Sequence, residues 1–140
     1  MGPASTTPRL RHLTQLRLDA ACVGDDLLDE VAQLRELKLL VLWHAKVTDE
    51  GLSRLSDCRM LEELYLHDSP QVGEKGMAFL ADHPRLTRLD LRYTAADDRC
   101  LPVLKGLTKL KELHLFGTKL IPATRGELKE ALPNCEIYRP

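Results

Sequence analysis

Apolar and polar positions alternate along this chain in one recurring phrase. The segments "LTQLRL" (13–18), "LKLLVL" (37–42), "LEELYL" (61–66), "LTRLDL" (86–91) and "LKELHL" (110–115) all read Leu-x-x-Leu-x-Leu. Their first leucines stand 24, 24, 25 and 24 residues apart, and all fifteen specified positions are leucine. A self-similar period of this length is the signature of a stacked repeat. The period-2 spacing of the last two leucines predicts a strand with one buried side. The one-residue insertion falls at "SPQV" (69–72) against "AKV" (45–47), where Pro70 supplies a turn.

Each strand phrase is followed by an apolar position (Val23, Val47, Val72, Ala96, Leu120) and then by a helical pattern. In "VTDEGLSRL", Thr48 is a predicted N-cap, and Asp49 and Glu50 suit the positive end of the helix dipole. Leu52 and Leu55 then share one face, as do Leu28 and Val31, Met77 and Leu80, and Leu101 and Leu104. Pro102 predicts a short fourth helix or a 3₁₀ piece. In the fifth repeat Pro122 and the capping-box pattern "TRGE" (124–127) predict a start displaced by several residues. One strand, turn and helix cannot bury an apolar side alone, so the repeats must stack. Helices are wider than strands, which puts the strands on the inside of a curve. The tail "LPNCEI" (132–137) repeats the phase as Leu132, Cys135 and Ile137 and predicts a sixth, closing strand.

Over residues 10 to 137 these phrases resemble the leucine-rich-repeat family, most nearly its helix-containing ribonuclease-inhibitor-like and short bacterial members. The resemblance implies an α/β solenoid, a horseshoe arc with parallel strands on the concave face and short helices on the convex face. It also implies a protein-binding role. Many family members carry Asn or Cys just past the strand to satisfy neighbouring loop backbones. Here that position holds Ala21, Ala45, Ser69, Thr94 and Thr118. Ser and Thr can do part of that bonding and Ala cannot, which leaves looser amino-terminal loops or passes the role to Cys22.

Strand alternation then assigns the concave surface. With Leu40 and Leu42 inward, positions 41 and 43 face outward. Projected across the repeats, the columns read Gln15, Leu39, Glu63, Arg88, Glu112; then Arg17, Val41, Tyr65, Asp90, His114; then Asp19, Trp43, His67, Arg92, Phe116. A fourth column, nearest the strand ends, reads Ala20, His44, Asp68, Tyr93, Gly117. These 20 positions hold four of the six aromatics and three of the five histidines, so aromatics are concentrated several-fold over random scatter. Aromatics and Arg dominate binding hot spots, and folding does not require them on this face. The expected partner-binding residues are Trp43, Tyr65, His67, Arg88, Asp90, Arg92, Tyr93, His114 and Phe116. Arg17 and Asp68 are expected to help orient the partner. The structural reading of the same rings is that they cover neighbouring leucines without touching a ligand.

Candidate chemistry is sparse. Asp90 and His114 share a column in adjacent repeats, but no Ser or Cys joins them there as a nucleophile. His44, His67 and Asp68 lie close in projection but have no metal-ligand spacing. The expectation is a protein that is not an enzyme and uses no metal or cofactor. The acidic stretch "GDDLLDE" (24–30) reads as a solvated helix start.

Composition narrows the partners. At 140 residues and formal net charge −1 the chain lacks the basic excess that nucleic-acid binding needs. No apolar run is long enough for a membrane span, and "MGPASTTPRLRHL" lacks a secretory h-region. Cys22, Cys58, Cys100 and Cys135 form no Cys-x-x-Cys pair and suit a reduced, cytoplasmic protein. The expected organisation is a flexible segment over 1–9 and one repeat domain over 10–140. The expected function is a module binding a protein or peptide, with neither nucleic acid nor membrane as partner. The alternative is a structural segment of a larger adaptor or ligase assembly. An uncapped amino-terminal end leaves self-association open.

Overall fold

A computed structural model describes residues 10–19, 21, 23–81 and 83–139. The segment expected to be flexible (1–9), Ala20 and Cys22 lie outside the described residues. Each leucine phrase becomes a strand: β1 (Gln15–Asp19), β2 (Leu39–Trp43), β3 (Glu63–Tyr65), β4 (Arg88–Asp90) and β5 (Glu112–His114). The tail adds β6 (Glu136–Tyr138), the expected closing strand. All six pair in parallel in chain order as one open sheet.

The register stacks like on like. Leu16, Leu40, Leu64, Leu89, Leu113 and Ile137 are successive partners across the five strand pairs. Because Glu63 pairs with Arg88 across the 25-residue interval, the extra residue is absorbed outside the sheet, in the turn around Pro70. From the second repeat on, these leucines are fully buried, each worth about 1.5–3 kcal/mol in removed apolar surface. In the first repeat Leu13, Leu16 and Leu18 are only partly buried, and Leu10 is exposed.

The helices close the other side of the core: α1 (Asp25–Val31), α2 (Asp49–Ser53), α3 (Glu74–Leu80), α4 (Leu101–Gly106) and α5 (Pro122–Ala131). Thr48 caps α2 as expected, its side chain accepting from Gly51 N. The fourth segment is short, a 3₁₀ turn over Asp98–Cys100 followed by α4 with a proline in its first turn. The displaced start expected for the fifth helix is not found. α5 begins at Pro122, two residues after Leu120, the same offset as for α1, α2, α3 and the 3₁₀ turn of the fourth repeat. Thr124 is therefore inside the helix, and its hydroxyl donates to Asp98 Oδ1 (2.7 Å) instead of capping.

That bond belongs to a second series of rungs. Asp25 accepts from Thr48 N (2.9 Å) and Thr48 Oγ1 (2.5 Å), one repeat on. Asp49 accepts from Gly73 N (2.7 Å), and Asp98 from Ile121 N (3.1 Å). Thr48, Gly73 and Ile121 are N-cap residues, so the first residue of one helix fixes the start of the next. "GDDLLDE" is thus more than a solvated helix start. Asp25 is partly buried, and Arg54 from the next repeat donates to its backbone carbonyl (2.7 Å).

The missing Asn is replaced by the main chain. Lys46 N, Ala95 N and Lys119 N donate to the carbonyls of Val23, Val72 and Ala96 in the preceding repeats, at 2.7–2.8 Å. Thr94 and Thr118 bond within their own repeats, to Leu91 O and Leu115 O. Ser69 Oγ is buried without a partner. Three residues before the leucine phrases, Cys58 and His83 each reach a backbone carbonyl of the preceding repeat. Cys58 Sγ donates to Val31 O (3.6 Å), and His83 Nε2 lies 2.9 Å from Leu55 O. Burial pushes the Cys58 thiol up to about 11, so it stays protonated at neutral pH.

The carboxylate rungs explain two buried glycines inside helices. A Cβ on Gly51 would lie 1.9 Å from Asp25 Oδ1, and one on Gly76 would lie 2.5 Å from Asp49 Oδ1. Gly→Ala in a helix normally stabilises by about 0.5–1 kcal/mol. Gly51→Ala is expected to destabilise instead, by about 1–3 kcal/mol from overpacking. Combining it with Asp25→Ala is expected to cost less than the two single changes summed. Urea melts of the four proteins in that cycle measure the coupling; simple additivity would disprove the rung.

Candidate functional site

The projected columns survive past the ends of the short strands. Leu66 N, Leu91 N and Leu115 N donate to Asp90 O, His114 O and Tyr138 O at 2.8–2.9 Å. His44 N, Asp68 N and Tyr93 N then donate to His67 O, Arg92 O and Phe116 O at 3.0–3.1 Å. Adjacent repeats therefore stay level through the fourth column. There the backbone turns left-handed at each described position of the column: φ is 55° at His44, 58° at Asp68, 55° at Tyr93 and 75° at Gly117. That conformation costs a residue with a Cβ about 1–2 kcal/mol. His and Asp are enriched in it, whereas a bulky Tyr there is rare.

The turn brings side chains of the third and fourth columns into one row. His44 and His67 have ring centroids 5.9 Å apart, His67 and Tyr93 stack at 5.5 Å, and Tyr93 meets Phe116 edge-on at 5.3 Å. These four rings come from four consecutive repeats. Trp43 (39% exposed), Tyr93 (44%) and Phe116 (42%) remain open to solvent. At the row's amino-terminal end His44 lies between two carboxylates, its Nδ1 3.1 Å from Asp19 and its Nε2 3.1 Å from Asp68.

The first two columns are knitted together by charge. Arg88 stands between Glu63 (3.4 Å) and Glu112 (3.3 Å), which hold its guanidinium more firmly protonated. Tyr65 donates to Glu63 (3.0 Å), and its hydroxyl is raised first by burial and then by that bond. Asp90 is fully buried, and Arg92 clamps it with Nε and Nη2 (2.6–3.0 Å) and with its backbone N–H (3.0 Å). Asp90 therefore positions Arg92 and cannot itself be an exposed contact. Val41 faces this side and is also buried.

The meeting of Asp90 with His114 does not occur, although their Cα atoms are register partners. Arg92, two residues away on the same side, takes the carboxylate. His114 instead stacks on Tyr138 at 4.5 Å and 9°. Tyr138 is exposed, hydrogen-bonds Glu136, and belongs to this surface although it lies beyond the five repeats read into the columns. Continuing the leucine phase through Ile137 places Glu136 and Tyr138 in the first two columns.

No protein-family sequence model matches the chain. Its architecture is shared with solved structures. An internalin of Listeria monocytogenes, inlF, superposes with TM-score 0.74 over 97% of this chain and 37% of that one, at 16% identity. Actin-binding site 2 of leiomodin-1 gives TM-score 0.70 at 16% identity, over 95% of this chain and 90% of that one. The plant peptide hormone receptor RGFR1, solved in complex with RGF2, gives 0.58 at 16% identity over 94% and 25%. The fold is that of a leucine-rich-repeat solenoid. The chain spans well under half the length of the internalin and of the receptor.

The row of rings depends on Gly117, where an added Cβ would lie 2.5 Å from Tyr93 Cδ1. Gly117→Ala is expected to destabilise by about 1–2 kcal/mol and to push Tyr93 off Phe116. Urea melts and NOEs between the two rings check both effects. An unchanged ring contact would contradict the packing described.

Proposed function

We propose that the concave face binds a protein or peptide segment, with Trp43, Tyr93 and Phe116 as apolar anchors. Tyr65, His67, Arg88, Arg92 and His114 form the polar surround that selects orientation, and Asp90 acts through Arg92. The observation that carries this reading is the exposed row of rings, centred on a tyrosine in left-handed backbone. Sparsely populated backbone persists where the surroundings over-determine it, and such sites cluster where function is. Exposed aromatics at the centre of a surface are the usual hot-spot material. The same fold serves in the leiomodin segment described as an actin-binding site and in a receptor solved with its peptide. Mechanism here is recognition, with no covalent step.

A second reading, a segment of a larger adaptor or ligase assembly, is favoured by one feature. The first-repeat leucines Leu13, Leu16 and Leu18 are only partly buried, with Leu10 exposed beside them.

The concave face predicts a partner captured by the wild type and released by Trp43→Ala/Phe116→Ala. The expected loss is at least tenfold in affinity, about 1.4 kcal/mol. Affinity capture followed by titration with the captured partner measures it, after thermal melts show the variant folded. Equal capture by both proteins would remove the concave face as the site. Capture by neither would favour the larger-assembly reading.

A further inference from the structure

The carboxyl-terminal end of the stack holds a pocket of about 180 Å³ that the concave face does not explain. Among the described residues it is lined by Arg125, Gly126, Lys129, Ile137 and Arg139, three cations with no acidic side chain. Arg125 and Lys129 stand four residues apart on α5 and therefore share a face, and Arg139 follows directly on β6. Gly126 leaves the wall open, since a Cβ there would meet nothing within 4 Å.

Several guanidinium and ammonium groups on this solenoid are matched to acids. Arg54 reaches Asp29, Arg88 reaches Glu63 and Glu112, Arg92 reaches Asp90, Arg99 reaches Asp97, and Lys105 reaches Glu127. The three pocket cations form no such pair among the described residues. Arg125 Nε is moreover buried with no hydrogen-bond partner. A desolvated donor on a charged group is costly unless a ligand satisfies it, and charge-assisted bonds to an anion are the strongest way to do so.

We propose that this pocket binds a phosphate group. Its volume suits one compact anion and is too small for an extended segment. A carboxylate would bring one charge to three cations. A phosphate monoester brings about −1.5 to −2 charges at pH 7 and three acceptor oxygens. Two guanidinium forks and one ammonium match those oxygens. The group arrives either as free phosphate or on a phosphorylated side chain.

The test is calorimetric titration of the full chain, at constant ionic strength, with inorganic phosphate and separately with a short phosphoserine peptide. Saturable one-site binding is expected, weakened about tenfold or more by Arg125→Gln and by Lys129→Gln. Lys46→Gln, far along the stack, is expected to leave it unchanged. Lys129 is exposed, so its variant tests the site even if the Arg125 change perturbs folding. Binding of phosphate but not peptide identifies a free anion, and tighter binding of the peptide identifies a modified partner. No binding of either by wild type, or equal binding by Lys129→Gln, overturns the proposal.

Discussion

Everything in this molecule follows from the inability of one repeat to bury its own leucines. A strand of three to five residues and a helix of five to ten have no closed interior. Only stacking in register, leucine on leucine, removes that apolar surface from water. Stacking also fixes what happens on the face turned away from the core. Parallel strands lie ~4.8 Å apart, so side chains at equivalent positions are delivered close to contact distance. Rings 5.3–5.9 Å apart and an arginine between two glutamates are the consequence.

The stack is fastened at a second line, where the helices begin. The rung carboxylates each accept from the N-cap of the next repeat, so helix capping is shared between repeats rather than local. The glycines that face Asp25 and Asp49 are the steric counterpart. In the third repeat the longer Glu74 stands at this position, turns out to Arg99 (3.2 Å), and Cys100 replaces the glycine. In the fourth rung a short Asp98 faces Thr124, whose hydroxyl bonds it instead of leaving room.

The leucine register, the sixth strand, the Thr48 cap and the concave columns were all legible in the sequence, because each rests on a period. What needed coordinates was which of several chemically sound partners a polar group takes. Asp25 and Asp49 suit a helix dipole equally well, and nothing local says that they reach the next repeat. The "TRGE" pattern is a sound capping box, but the repeat phase and Asp98 outweigh it. Asp90 had His114 across the sheet and Arg92 two residues further on, just past its strand, and the bidentate guanidinium took it. The left-handed turn at the fourth column was invisible because His44 and Tyr93 carry no glycine signal. Only Gly117 marks the column in the sequence.

The core leucines hold the fold, and the concave rings are left to the proposed recognition. The most direct measurement compares unfolding free energies, from urea melts, of Leu64→Ala, Trp43→Ala and Phe116→Ala. A loss of about 2–5 kcal/mol is expected for the buried Leu64. Less than about 1 kcal/mol is expected for each exposed ring. Rings that cost as much as the leucine would be part of the fold, and the binding surface argued from them would fall.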